Sequence, residues 1–137
     1  MKDESTVREC SILVIDSEPE FAEDLSVLLP SEYDVEIAGG LGAAIRSIRD
    51  HRPDCVLLDA QTPLEKDGVR CFEGMDQITL LREKCTDMDI QCPPLISMSA
   101  RLADVEDAPL EARPEAQIGK PLDIDELKKI IKRLTTF

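Results

Sequence analysis

Two aspartates end two apolar runs, Ile12-Leu13-Val14-Ile15-Asp16 and Cys55-Val56-Leu57-Leu58-Asp59. A Lys120-Pro121 pair follows a third run, Ala116-Gln117-Ile118-Gly119. In a parallel sheet, residues that end different strands gather at one edge. Two carboxylates and one ammonium at that edge suit a hard cation and a phosphoryl group. Without the cation, carboxylates about 5 Å apart would repel by roughly 3 kcal/mol at an effective dielectric of about 20.

The elements that must hold these residues follow from the apolar pattern. Five short apolar runs alternate with helix-length segments, which predicts βα units and a parallel sheet. The strands are expected near 11–15, 33–38, 55–59, 95–99 and 116–118. The first is apolar almost throughout, as a strand buried on both faces should be. Ser17 and Glu20 form a capping box for the first helix, with Pro19 in its first turn. Phe21, Leu25, Leu28 and Leu29 follow at helical spacing, and Pro30 stops the helix.

Leu41, Ala44, Ile45 and Ile48 make one face of a second helix. A third is predicted over Asp76 to Lys84, with Ile78 and Leu81 inward. Pro109 and Pro114 restrict the fourth, since an interior proline costs a helix roughly 3 kcal/mol. It is expected to be short or irregular, within 101–114. The last helix starts at Asp123, its cap, and carries the stripe Ile124, Leu127, Ile130, Ile131 and Leu134.

The chain has 137 residues, enough for one domain with a proper core, and no repeat or second domain is evident. Only 3% of residues are aromatic, so the core must be aliphatic. The net charge of −13 argues against nucleic acid and against an anionic membrane surface. Five cysteines without a CxxC pair, and the single histidine His51, argue against zinc. The odd cysteine count and the charged start, Met1 to Glu4, suggest a reducing, cytoplasmic compartment. Cys55 is expected to be a buried small hydrophobe, and His51 an exposed loop residue.

With these elements in place, the chain resembles the receiver domain of two-component response regulators over about Glu9 to Leu134. The resemblance rests on ILVIDSEPE at strand one, PDCVLLD at strand three, PLISMSA at strand four and KP after strand five. It implies a CheY-like, flavodoxin-like α/β fold: a doubly wound five-stranded parallel sheet of order 2-1-3-4-5 between two helical layers. It also implies that Asp59 is the phosphoacceptor, taking a phosphoryl group from a sensor histidine kinase or phosphotransfer protein. Asp16 would hold Mg²⁺ together with Asp59 and the backbone carbonyl of Gln61. Ser99 would contact the bound phosphoryl group through its hydroxyl, and Lys120 would pair with it. The strand-four to helix-five face would meet a downstream protein. Dimerisation stays open, because the usual face includes the irregular fourth helix.

Three positions depart from the family pattern. Ser17 stands where a second metal-binding aspartate is usual, so Ser17 or Glu18 would act through a water, or Ser17 would simply cap the helix. Gln117 replaces the aromatic switch residue three before the lysine. Leu64 to Glu73 separates Pro63 from Gly74-Met75-Asp76-Gln77, which looks like the family's GMDG. That insert is expected to be a tolerated loop, or a lid that reads a partner.

Two other functions compete with the phosphoacceptor. A receiver-like module could dock its partner without phosphorylation, which Ser17 and Gln117 motivate. A small enzyme or cofactor binder could use the same fold. The turn Gly39-Gly40-Leu41-Gly42 lacks the grammar of a phosphate-cradling loop, which weighs against the latter.

Overall fold

The apolar runs that carry the aspartates form neighbouring strands. β1 (Cys10–Ile15) pairs in parallel with β3 (Cys55–Asp59), and on its other side with β2 (Tyr33–Ala38). β6 (Leu95–Ser99) pairs with β3, and β7 (Ala116–Gly119) with β6. The sheet order is therefore β2-β1-β3-β6-β7. Numbered among themselves, these five strands run 2-1-3-4-5, as expected. The computed structural model describes residues 10–16, 19–29, 33–59, 64–66, 69–71, 74–99, 113–119 and 122–135. Of the segment expected to hold the fourth helix, 101–114, residues 101–112 lie outside them.

Successive side chains of a strand point to opposite faces, so each central strand feeds two cores. Leu13, Ile15, Val56 and Leu58 pack with α2 (Leu41–His51) and α3 (Gly74–Asp87). Ile12, Val14, Cys55 and Leu57 pack with α1 (Pro19–Leu28) and α4 (Ile124–Thr135). The result is three layers, with both faces of β1 and β3 sealed. Cys55 is fully buried, as its apolar surroundings predicted.

Several polar contacts set the strand registers. Asp54 Oδ2 accepts a hydrogen bond from Ser11 N at 2.8 Å, while Asp54 N donates to Ser11 O, also at 2.8 Å. Glu115 clamps the start of β6. Its carboxylate accepts from Leu95 N at 2.7 Å and from the Arg82 guanidinium at 2.7 Å. The predicted cap of the last helix is present: Asp123 Oδ1 accepts from Asp125 N and Glu126 N.

Three expectations need correction. The third helix is longer than Asp76 to Lys84, because Cys85 still faces the core and the turn comes only at Asp89. His51 is not a loop residue. It ends α2, where its Nδ1 lies 2.9 Å from Glu36 Oε1 on β2. The insert is not a plain loop either. β4 (Leu64–Lys66) and β5 (Val69–Cys71) form an antiparallel hairpin, with Leu64 opposite Cys71 and Lys66 opposite Val69.

Candidate functional site

The sheet brings the candidate residues to its carboxyl edge by register alone. β1 and β3 are matched as far as Ile15 beside Leu58. One further step of the same register sets Asp16 beside Asp59, with neighbouring strands about 4.8 Å apart. The ladder extends to Asp16 on its other side, where Asp16 N donates to Ala38 O at 3.0 Å. Asp59 in turn lies beside Met98 of β6. Cys55, Leu57 and Met98 all belong to the core under α1 and α4, and the strand alternation carries Asp59 to that same face.

Both carboxylates are enclosed, Asp16 at 1% exposure and Asp59 at 5%. Burial of two like charges at one sheet edge is costly unless something compensates. Ser99 is the last residue of β6, one position beyond the partner of Asp59, and it lies beside Gly119, the last residue of β7. Lys120 follows Gly119 directly in the chain. The structure therefore brings Asp16, Asp59 and Ser99 to one edge. Ser17, Glu18, Gln61 and Lys120 lie outside the described residues.

The donor set fits Mg²⁺. That ion keeps several of its waters and binds through one or two carboxylates plus phosphate oxygens, rather than a full protein cage. Among the described residues no group of three or more His, Cys, Asp and Glu side chains forms a metal cluster. Asp16 and Asp59 offer two hard oxygen donors, which suits magnesium and not a soft metal.

One buried polar residue elsewhere in the fold carries a weaker sequence signal. Gln77 of α3 is fully buried. Its spacing could have announced this, because Gln77, Leu81 and Cys85 recur every four residues along one helix face, and the last two are core.

Comparison with known proteins agrees with this geometry. The chain is 30% identical over 118 residues to the DNA-binding response regulator MtrA of Mycolicibacterium smegmatis. The match takes in 85% of this chain but 46% of MtrA, so the chain spans about half the length of that relative. The signal receiver domain of a DNA-binding response regulator from Colwellia psychrerythraea superposes with a TM-score of 0.64 at 27% identity. That alignment covers 92% of this chain and 98% of the other. The receiver domain of the sensor histidine kinase PA1611 from Pseudomonas aeruginosa, solved with magnesium in its active site cleft, gives 0.66 at 21% identity. It covers 94% of this chain and 99% of its own. No protein-family profile matches the chain. The chain belongs to the response regulator receiver domains.

Proposed function

We propose that this receiver domain accepts a phosphoryl group on Asp59 from the phosphohistidine of a sensor kinase or phosphotransfer protein. The observation that carries this is the register that sets Asp16 beside Asp59, both enclosed at the carboxyl edge of the sheet. A carboxylate oxygen of Asp59 attacks phosphorus, the P–N bond to the donor imidazole breaks, and an acyl phosphate forms on Asp59. Such transfers need in-line positioning and neutralised equatorial charge more than covalent help. Mg²⁺, held by Asp16, Asp59 and the Gln61 carbonyl, would supply part of that neutralising charge. The Lys120 ammonium supplies the rest, and the Ser99 hydroxyl donates a hydrogen bond to a phosphoryl oxygen.

The phosphorylated form then favours one of two arrangements of the face from β6 to the last helix, where a downstream protein docks. Gln117 rules out the aromatic form of that switch. The domain works in signalling, in the cytoplasm, with self-catalysed phosphotransfer and dephosphorylation as its only chemistry. Among the described residues no helix is long and apolar enough to cross a membrane.

The test is incubation with acetyl phosphate and Mg²⁺, followed by phosphate-affinity electrophoresis beside Asp59→Asn. A retarded band present in the wild type and missing in the variant supports the proposal. Absence of any retarded band, with partner binding intact, would support the phosphorylation-independent docking module instead.

A further inference from the structure

Four of the cysteines, Cys10, Cys55, Cys85 and Cys92, are free, and they fall into two pairs. Cys85 on α3 and Cys92 after it pack in one core cluster, and Cys10 on β1 and Cys55 on β3 in the other. These pairs differ in what they can become. Cys55 lies beside Ile12, so Cys10 is its diagonal neighbour, two residues along a rigid ladder. Strand spacing and rise put such Cα atoms about 8 Å apart. A disulfide needs about 4.4–6.8 Å and cannot form beyond roughly 7 Å without backbone movement.

Cys85 and Cys92 are placed differently. The chain leaves α3 through a Schellman turn, in which Ile90 N donates to Cys85 O and Asp89 N donates to Thr86 O. Asp89 takes the left-handed conformation that this turn requires. The turn sends Ile90 back onto the core and returns Cys92 to the same cluster that holds Cys85. Cys92 belongs to no helix or strand, so its backbone can adjust. It also lines an open surface cavity of about 240 Å³, together with Arg52, Asp54 and Pro94. One residue of the pair therefore borders a space open to small solutes.

The geometry points to Cys85 and Cys92 as a dithiol oxidation site, whose substrate is a hydroperoxide and whose product is an intrachain disulfide. The reaction starts from a thiolate, left on one sulfur of the pair by loss of its proton. The thiolate attacks a peroxide oxygen and the O–O bond breaks. The departing oxygen takes up a proton and leaves as an alcohol or water, and a sulfenic acid remains. The second sulfur then attacks the first. The S–S bond forms, the S–O bond breaks, and the remaining thiol proton leaves with hydroxide as water. The thiols are oxidised and the peroxide is reduced. The bridge ties the end of α3 to the segment that enters β6, the strand that ends in Ser99.

The test treats the reduced, folded protein with a small excess of hydrogen peroxide, alkylates it and digests it with trypsin. Cleavage after Lys84 and Arg101 releases both cysteines on one peptide. That peptide is expected to lose two hydrogens, to take up no alkylating agent, and to recover both thiols on reduction. Cys92→Ser should abolish the change, and Cys10→Ser should leave it intact, each variant being checked for folding by circular dichroism. Alkylation of both Cys85 and Cys92 after peroxide, with oxidation at other cysteines, would overturn the assignment. So would Cys92 ending as a sulfinic acid without a bridge.

Discussion

Asp16 and Asp59 sit side by side, one register step beyond Ile15 and Leu58, and both are shielded from solvent. At a strand spacing of about 5 Å and an effective dielectric of about 20, their mutual repulsion is roughly 3 kcal/mol. Removing one charge should therefore stabilise the fold when no divalent cation is present. Asp59→Asn is expected to melt above the wild type in a chelating buffer, by about 1 to 3 kcal/mol of stability. Added Mg²⁺ should raise the melting temperature of the wild type and move the variant much less. A variant that melts lower than the wild type in chelator would contradict the pairing of charges.

The neighbour of Asp59 within β3 is a packing residue. Leu58 is fully buried in the core under α2 and α3. Leu58→Ala should cost about 2 to 5 kcal/mol, from lost burial plus the cavity left behind. Urea denaturation would show this as a lower midpoint with an unchanged slope. A loss below 1 kcal/mol, roughly the level of an exposed site, would mean that this face of the sheet collapses around the gap.

The sheet and its acidic edge were legible because local pattern and tertiary context agree there. Val14, Ile15, Leu57 and Leu58 are apolar on both faces, as only a central strand needs to be, and a carboxylate directly after such a run can lie only at its end. The features that escaped lack that agreement. α3 runs on to Asp87 because its stop is Asp89, a left-handed residue that is not glycine, and Arg52 ends α2 in the same way. The hairpin did leave a signal, since Asp67-Gly68 between Lys66 and Val69 is a favoured two-residue hairpin sequence. Its strands are only three residues each, too short for an alternating pattern to stand out. Glu115 was invisible for a different reason. Its partners, Leu95 N and Arg82, are distant in sequence, and nothing local marks a carboxylate that will clamp a strand.

The turn after α3 yields a prediction of the opposite sign to a core truncation. Asp89 holds a φ of 56°, where an L residue pays a steric penalty of about 1 to 2 kcal/mol that glycine escapes. Glycine gives back part of this through the freedom it gains in the unfolded chain. Asp89→Gly should therefore stabilise by about 0.5 to 1 kcal/mol, and Asp89→Val should destabilise. Chemical denaturation of the two variants checks the pair. If both variants lose stability equally, the left-handed turn is not what limits the helix end.

Glu36 gives the fold a pH dependence on its acid side. Burial pushes its carboxyl upward, but hydrogen bonds from Ser47 and His51, together with the charge of His51, outweigh that and hold it below the ordinary 4.5. A carboxylate whose folded value lies below its unfolded value contributes fully above the unfolded value. The contribution is lost as pH falls from there through the folded value. Stability should therefore drop on acidification below about 4.5, and Glu36→Gln should flatten part of that drop. The effect is small, because the Glu36 and His51 side chains are 39% and 61% exposed and solvent screens their attraction. Urea midpoints measured from neutral pH down through the carboxylate range would decide the matter. Curves for wild type and Glu36→Gln that stay parallel throughout would place the acid sensitivity in other carboxylates. Curves that converge only below the ordinary glutamate range would assign it to the link between β2 and α2.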